Sequence, residues 1–206
     1  MRIEPSLALE RRLWKSGLTY LAGLDEAGRG ALAGPVAVGA VILPDRPRLA
    51  FILKGVRDSK QMTARARQEL APRIQATALA WGVGFASAQE IDELGIVPAT
   101  RLAASRALER LSVFPEYLLS DFRLELPELD LPQTSLVRGD ALCLSIAAAS
   151  VLAKTARDAL MCELDLQYPA YGLGTHKGYG TRSHRQVLAR LGYSAAHRRS
   201  FSLHQR

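Results

Sequence analysis

The sequence predicts an α/β or α+β fold in which a five-stranded sheet is covered by helices. Apolar segments of strand length alternate with helical segments along the chain, an order typical of such a sheet. The 206 residues can bury one full core, and no linker rich in Pro, Gly or Ser divides them. We therefore expect a single domain over residues 1–206, with a sheet-and-helix core at 18–166 and a C-terminal helical and basic segment at 167–206.

The five predicted strands are short apolar segments bounded by turn residues. The second is rich in Val and small residues, so we expect it to be buried on both faces. The fourth brings Asp121 to its end, and the fifth leads into Arg138-Gly139-Asp140. The predicted strands cover residues 20–24, 35–43, 78–86, 117–119 and 134–137.

The helices are predicted from apolar side chains that recur every three or four residues. Residues 1–17 form an amphipathic leader without an assigned role, and Pro72 should kink or end the helix that begins at Thr63. The longest helix contains the alanine run 147–149, which would let its backbone approach a sheet closely. The helices after the leader are predicted at residues 63–77, 88–94, 99–111, 141–167 and 183–191.

The chain is basic. Its 27 Lys and Arg residues against 20 Asp and Glu residues give a formal net charge of +7 and a pI near 9.8. This charge favours a polyanionic partner such as nucleic acid, although an anionic membrane surface or simple solubility would also account for it.

Cysteine usage and hydropathy predict a soluble, cytoplasmic protein. Cys143 and Cys162 lie in apolar or helical patterns without CxxC spacing, which indicates buried free thiols in a reducing compartment. The N-terminus contains acids and no long apolar segment, and no stretch reaches the roughly 18 apolar residues of a membrane span. We expect a monomer without membrane contact, and the sequence identifies no protein partner.

The segment Leu24 to Pro35, LDEAGRGALAGP, has the composition of an active-site loop. Side chains alternate between the faces of a strand, so Asp25 and Glu26 could share one site only if the chain leaves the strand between them. Positive φ at the glycines of Gly28-Arg29-Gly30 would let the backbone approach a ligand, and Arg29 offers donors for phosphate or ribose oxygens. A tight turn with two solvated acids is the alternative interpretation.

Two nucleotide-binding motifs are excluded by their spacing. The glycines at 28, 30 and 34 give GxGxxxG instead of GxGxxG, and GxxxxGK[ST] does not occur in the chain. Carboxylates next to a glycine-rich loop suggest instead a hard cation that meets a phosphate.

Four acids are predicted at strand ends or helix starts: Asp25, Glu26, Asp121 and Asp140. Crowded carboxylates are tolerable chiefly when cations lie between them, and two hard cations could together promote in-line attack of water on a phosphate. Asp140 could instead cap the long helix, and Asp121 could be an ordinary first loop residue. Asp158 lies about 27 Å from Asp140 along an unbroken helix at 1.5 Å per residue, so we assign it to an ion pair with Lys154.

Three further groups have both a functional and a structural interpretation. The Ser59 hydroxyl beside the Lys60 ammonium could hold a phosphate or lie in a surface turn, and Tyr179 could stack on a sugar or base or anchor a core. The segment 197–199, His-Arg-Arg, is interpreted as a solvated basic tail, with phosphate contact as the alternative. The histidines lack the spacing of a zinc site; they are His176, His184, His197 and His204.

Together these residues resemble the ribonuclease HII family, the type 2 ribonucleases H. The resemblance spans nearly the whole chain in the order of the family. The matching segments are DEAGRG at 25–30, DSK at 58–60, IDELGI at 91–96, Asp121, RGD at 138–140, AAASVLAK at 147–154 with Arg157-Asp158, HKGYGT at 176–181 and HRRSF at 197–201.

The resemblance implies a ribonuclease H-like fold: a five-stranded mixed sheet flanked by helices, with a C-terminal helical segment. It implies metal-dependent cleavage of RNA in RNA–DNA hybrids and on the 5′ side of single ribonucleotides in duplex DNA. The metal, Mg²⁺ or Mn²⁺, would be held by the four acids. Gly28, Arg29 and Gly30 would recognise the ribose 2′-hydroxyl, and Tyr179 would pack on the deoxyribose at the RNA-to-DNA junction.

The chain departs from the family pattern at two places. Asp121-Phe122-Arg123 stands where the family usually has Asp-Gly-Asn, and Arg138 stands where it usually has Lys. Two other classes remain open from the residues alone. One is a module that binds hybrid duplexes without cutting them, and the other is a nuclease of similar fold that cuts DNA.

Overall fold

The computed structural model of the chain describes residues 4–122 and 124–201. In this part of the chain five strands form one mixed sheet with helices on both faces. The elements in chain order are α1 Ala8–Lys15, β1 Leu21–Ala27, β2 Val36–Ile42, α2 Leu49–Ile52, α3 Ala64–Thr77, β3 Ala80–Ala86, α4 Ala88–Leu94, α5 Ile96–Leu108, β4 Tyr117–Asp121, β5 Gln133–Leu136, α6 Gly139–Leu142, α7 Leu144–Gln167, α8 Leu173–His176 and α9 Arg182–Leu191, with 3₁₀ turns at Ser59–Gln61 and Pro169–Tyr171.

The strand order in the sheet is β3-β2-β1-β4-β5. The first three strands form an antiparallel meander, whereas β4 and β5 run parallel to β1. Each parallel crossover from β1 to β4 and from β4 to β5 must return the chain to the same end of the sheet, so the ends of these three strands lie side by side. The predicted five-stranded mixed sheet flanked by helices is confirmed.

Strand β2 separates two hydrophobic cores. Ala37 and Val41 pack on the face covered by α7 and α3, whereas Val38 and Ile42 pack on the face covered by α5 and α4. Every residue of β2 is buried, which confirms the prediction made from its Val-rich sequence. The sheet is therefore the middle layer of a helix–sheet–helix sandwich.

Glycines in the sheet set the distance to α7. A Cβ on Gly39 would lie 2.3 Å from the Ala149 carbonyl oxygen, and a Cβ on Gly23 would lie 2.3 Å from the Ser145 carbonyl carbon. The alanine run 147–149 is fully buried on the helix side of this contact. Small residues on both sides thus allow the two backbones to touch, as the alanine run predicted.

The bounds of two predicted helices are wrong. The predicted helix 141–167 is two helices, because Cys143 between them is extended. Ser6 fixes the break: its amide donates to the Leu142 carbonyl, and its carbonyl accepts from the Leu144 amide. The predicted helix 63–77 is confirmed as α3, which continues through Pro72 to Thr77 with its buried face packed on the core, so Pro72 does not end it. Helix α5 begins at Ile96 instead of residue 99, directly after Gly95 at φ +83°.

The two cysteines differ in their surroundings. Cys143 is buried, as predicted, but Cys162 is exposed, because it lies on the outer side of α7. The Lys177 ammonium donates a hydrogen bond of 2.9 Å to the Cys162 sulfur. Within residues 4–122 and 124–201, no helix combines the length and the apolar character that a bilayer crossing requires.

The contact between Gly39 and Ala149 predicts a steep cost for a single methyl group. We expect Gly39→Ala to lower the free energy of unfolding by at least about 2 kcal/mol, because the opposing atom belongs to a helix backbone that cannot rotate away. Gly30→Ala is the matched control, since a Cβ at Gly30 meets nothing within 4 Å. Urea denaturation followed by circular dichroism measures both, and equal midpoints would contradict the prediction.

Candidate active site

Parallel pairing of β1 with β4 places two carboxylates side by side. The two strands are in register from Leu21 opposite Tyr117 to Leu24 opposite Ser120. The next residue on each strand is an acid, Asp25 on β1 and Asp121 on β4. Neighbouring strands lie about 4.8 Å apart, so the sheet itself brings these two acids together from distant parts of the sequence.

The expectation that the chain leaves the strand between Asp25 and Glu26 is wrong. Strand β1 continues to Ala27, because β2 pairs with it as far as Ala37 opposite Ala27. Asp25 therefore shares the face of Gly23, against α7, and Glu26 begins on the other face, but the Glu26 carboxylate still lies close enough for its charge to raise the pKa of Asp25. The Glu26 amide donates a 2.8 Å hydrogen bond to Asp25 Oδ1, which orients the Asp25 carboxylate.

Asp140 is brought to the pair by the Asp121 carboxylate. Asp121 Oδ1 accepts a 2.7 Å hydrogen bond from the Gly139 amide, at the start of α6. A Cβ on Gly139 would lie 2.8 Å from the Ile146 Cδ1 atom, so a side chain there would require Ile146 to move. Asp140 is therefore anchored within α6, and it does not cap the long helix α7, which was the alternative for this residue.

The cap of α7 comes from the N-terminal leader, whose role the sequence did not reveal. Glu10 of α1 is fully buried, and its Oε1 accepts hydrogen bonds from the amide and the hydroxyl of Ser145, both at 2.9 Å. Cys143, at the N-cap position, offers no side-chain bond. Helix α1 thus fixes the start of α7 and the break that precedes it, where Asp140 is held.

Burial and mutual repulsion raise the pKa values of the acids. Burial, followed by the charges of Glu26, Asp121 and Asp140, raises the pKa of Asp25 well above its ordinary value. Burial also raises the pKa of Glu26, although Arg29 lies 3.6 Å from its Oε1. The pKa of Asp140 is raised to about 6 by burial and then by the charges of Asp58 and Asp121.

The donor set fits a hard divalent cation. Asp25 Oδ2 and Glu26 Oε2 are buried and have no hydrogen-bond partner, and carboxylate oxygens are the ligands that Mg²⁺ and Mn²⁺ prefer. In the described part of the chain, no group of three or more His, Cys, Asp or Glu side chains lies close enough together to hold a metal ion. Metal binding by Asp25, Glu26, Asp121 and Asp140 stays a prediction, supported by their repulsion and their unpaired oxygens.

The 58–60 segment places a cation against the acids. Burial lowers the pKa of Lys60, but the carboxylates around it, Asp25 first, outweigh burial and raise it. Ser59 is buried and its hydroxyl accepts a 2.8 Å hydrogen bond from Ser150, so this residue is not part of a solvated surface turn, whereas Lys60 is exposed. Substrate contact by Ser59 and Lys60 stays a prediction, and of the two side chains Lys60 faces the acids.

Asp58 is a residue of the site that the sequence interpretation missed. Its carboxylate faces Asp140 and raises the pKa of that residue. It also accepts hydrogen bonds from the Lys60 amide and the Gln61 side chain, which fixes the 3₁₀ turn that carries Lys60. Its position next to Ser59 and Lys60 was the available signal.

The four acids Asp25, Glu26, Asp121 and Asp140 are called here the acidic floor. The glycine-arginine-glycine loop, residues 28–30, forms a rim next to it, where Arg29 approaches Glu26. Gly28 has φ +86°, and a Cβ on it would lie 1.8 Å from Arg157 Nε, so this position requires glycine for packing. Gly30 does not take a positive φ, contrary to expectation, and a Cβ there would point into open space. The absence of a side chain at Gly30 therefore leaves open space at the rim.

Two buried arginines hold this rim together. Arg157 donates to the carbonyls of Ala33, Pro35 and Lys177, at 2.8–3.1 Å. Arg198 donates to the carbonyls of Arg29 and Gly34, both at 2.9 Å. The interpretation of residues 197–199 as a solvated basic tail is therefore wrong for His197 and Arg198, which are buried, and holds for the exposed residue 199.

Tyr179 lies on a loop that packs against this rim. The Leu32 amide donates a 2.8 Å hydrogen bond to the Gly178 carbonyl, which ties the loop to the segment after Gly30. The Tyr179 ring is 36% exposed, and its centroid lies 5.6 Å from the Arg157 guanidinium and 5.7 Å from the Lys154 ammonium. Tyr179 is therefore partly exposed and is not a core anchor.

The remaining sequence predictions are settled by position. Asp158 pairs with Lys154, as expected, and also accepts a 3.0 Å hydrogen bond from Arg67. Phe122, in the first departure from the family pattern, is 49% exposed. Arg123 and His204 lie outside the described residues.

The sequence matches one protein family over most of its length. A family model described as ribonuclease HII matches residues 22–204. The chain is 51% identical to the ribonuclease HII of Dehalococcoides mccartyi over 198 residues, which covers 96% of this chain and 93% of that protein. It is 52% identical to the ribonuclease HII of Moorella thermoacetica over 200 residues, with 97% and 95% covered.

Solved structures show the same fold. A PCNA:RNase HII complex from Archaeoglobus fulgidus has a TM-score of 0.74 at 27% identity, with 91% of this chain and 97% of that chain covered. The ribonuclease H2 of Pyrococcus horikoshii has a TM-score of 0.72 at 23% identity, with 89% and 94% covered. A Bst-RNase HIII structure in complex with Mn²⁺ has a TM-score of 0.66 at 20% identity, with 90% and 68% covered.

The repulsion at Asp140 predicts that its neutralisation stabilises the metal-free protein. The pKa of Asp140 is about 6 in the folded protein against an ordinary 3.8, so its penalty is complete above pH 6 and disappears as the pH falls toward 4. We expect Asp140→Asn to raise the free energy of unfolding at pH 8 in chelator by roughly 1–2 kcal/mol, less than the full shift because solvent screens the charge.

Asp158→Asn is the matched control, because this acid is paired with two cations and its neutralisation should lower stability. Urea denaturation at pH 8 and pH 5 measures both variants. A loss of stability for Asp140→Asn that equals the loss for Asp158→Asn would show that the acids of the site do not repel one another.

Proposed function

Because the chain belongs to the ribonuclease HII family and is a ribonuclease H, we propose that it cuts RNA–DNA hybrids and also single ribonucleotides embedded in duplex DNA. Cleavage falls on the 5′ side of the ribonucleotide and leaves a 3′-hydroxyl and a 5′-phosphate. The cellular role is removal of ribonucleotides from DNA in the cytoplasm. The observation that carries the proposal is the group of carboxylates next to a glycine-arginine-glycine rim in a basic chain.

The acidic floor is proposed as the catalytic centre. Asp25, Glu26, Asp121 and Asp140 would hold Mg²⁺ or Mn²⁺, and two such ions, when bound, supply the Lewis-acid chemistry that activates a water and stabilises the departing oxygen. Asp25 Oδ1 is already held by the Glu26 amide, which leaves Oδ2 free to face a ligand. Lys60, at the same floor, would bind the scissile phosphate.

The rim is proposed to distinguish ribose from deoxyribose. A 2′-hydroxyl is the group that separates RNA from DNA at one nucleotide, and it requires close approach of backbone donors and acceptors. The open space at Gly30 and the fixed carbonyl of Arg29 meet this requirement. Tyr179, exposed on the adjoining loop, would pack on the next deoxyribose.

The proposal predicts the outcome of an assay with three matched duplexes and Mg²⁺. We expect cleavage of a hybrid and of a DNA duplex with one ribonucleotide, and no cleavage of an all-DNA duplex. Asp25→Asn should lower cleavage at least about a hundredfold because it removes a metal ligand, whereas Asp45→Asn, the same change at an exposed acid, should keep it.

The assay separates the other two classes. Binding that persists in chelator, without cleavage when Mg²⁺ or Mn²⁺ is added, would favour a hybrid-binding module. Equal cleavage of the all-DNA duplex would favour a DNA-directed nuclease. Full activity of Asp25→Asn would remove the assignment of the acidic floor.

Gly30→Ala should separate recognition from folding. A methyl group there meets no protein atom within 4 Å, so stability should be unchanged, but it would occupy the space proposed for the ribose. We expect KM for the duplex with one ribonucleotide to rise about tenfold, because the methyl group would prevent one hydrogen bond to the ribose, and the loss of one hydrogen bond has about this effect. Steady-state kinetics measure this, and an unchanged KM would exclude Gly30 from the recognition surface.

A further inference from the structure

Three histidines that the sequence left unassigned form one cluster beneath Tyr179. The His176 and His184 rings are stacked with their centroids 4.1 Å apart. His184 Nε2 lies 3.0 Å from His197 Nε2. His184 and His197 are buried, although the three residues come from α8, α9 and the C-terminal segment.

The hydrogen bonds of the cluster assign the proton on His197. The Ser194 amide, a donor, lies 3.1 Å from His197 Nδ1, so this nitrogen must accept. The other nitrogen, Nε2, therefore carries the proton and donates it toward His184 Nε2. His197 is thus neutral, with one donor and one acceptor, both in use.

The same argument assigns the proton on His184. Its Nε2 accepts from His197, so its Nδ1 carries the proton and donates to the Tyr179 carbonyl at 3.0 Å. His176 supports the same loop independently: its Nδ1 accepts from the Gly178 amide at 3.2 Å, and its Nε2 donates to the Tyr171 carbonyl at 2.8 Å. Each ring nitrogen of the cluster has one defined role.

Burial is consistent with neutral rings. Burial and then His176 lower the pKa of His184, and burial and then His184 lower the pKa of His197 to about 4. A second proton on His184 or His197 would place two N–H groups against each other. The chain of hydrogen bonds therefore exists in one arrangement only, which ends on the backbone of Tyr179.

We propose that His184 and His197 are positioning residues, which hold Tyr179 in place through its carbonyl and so set its contact with the substrate. This inference rests on the proposed function of Tyr179 at the RNA-to-DNA junction. The Tyr179 ring contacts the cations of Arg157 and Lys154, and the Tyr179 carbonyl accepts a hydrogen bond from His184. Loss of the hydrogen bonds from His197 to His184 and from His184 to Tyr179 would displace Tyr179 and leave the acidic floor unchanged.

The test uses a pair of His184 variants. His184→Asn keeps a side-chain N–H near the position of Nδ1, whereas His184→Leu has a similar size and no donor. We expect His184→Leu to raise KM about tenfold for a duplex with one ribonucleotide, which contains the junction. Its kcat, and its activity on a long hybrid where most cleavage sites have no junction, should stay close to wild type, and His184→Asn should restore KM.

Tyr179→Ala, alone and combined with His184→Leu, separates failure of this inference from failure of the proposed function. If Tyr179→Ala leaves the junction duplex unaffected, the role of Tyr179 is wrong. If Tyr179→Ala raises KM and His184→Leu does not, or if the two effects simply add, the positioning role is wrong. Non-additive effects support it, because both changes then remove one interaction.

A milder variant keeps the test valid if His184→Leu does not fold. The Ser194 hydroxyl lies 2.8 Å from His197 Nδ1. Ser194→Ala therefore removes one hydrogen bond to His197, the histidine farther from Tyr179, and leaves both imidazoles in place. We expect the KM for the junction duplex to rise two- to threefold, with the hybrid activity unchanged. Equal losses on both substrates would indicate a structural role alone and overturn the proposal.

Discussion

Electrostatic repulsion among buried carboxylates is the constraint that the rest of this structure accommodates. Parallel pairing of β1 with β4 fixes Asp25 beside Asp121, and the hydrogen bond from Gly139 brings Asp140 to the same place. Such a cluster destabilises the fold when no cation is near, so hydrophobic burial elsewhere must offset it. The buried strand β2 and the close contact of α7 with the sheet provide this burial.

Two buried cations near the acids, Arg157 and Arg198, bind backbone carbonyls instead of carboxylates. Burial lowers the pKa of Arg198 to about 9, and its Nε and Nη1 donate to carbonyl oxygens of the rim, whereas its buried Nη2 has no hydrogen-bond partner. Arg157 is held in the same way and crosses from the rim to the loop of Tyr179. Both arginines place positive charge at the rim, and the carboxylate charges that act on Arg157 and Arg198 are those of Asp158 and Asp92 respectively.

Elements far from the acids determine how accurately they are held. Glu10 caps α7 from the N-terminal leader, and Asp92 of α4 accepts hydrogen bonds from the backbone of Arg199 and Ser200, next to the buried Arg198. Both carboxylates accept from backbone amides at a segment end. The N-terminal and C-terminal segments therefore act as supports of the site, through contacts about a hundred residues or more apart in the chain.

The sequence by itself determined the five strands, the segments that carry Asp25, Glu26, Asp121 and Asp140, and the family, because these depend on local hydrophobic patterns and on motif residues that keep their order. Only the tertiary structure decided which groups meet. The continuation of β1 through Glu26, the break at Cys143, the burial of His197 and the proximity of Asp58 to Asp140 all result from pairing between distant segments. Local patterns carry no information about such partners, since each interaction is formed by groups that are adjacent only in the folded chain.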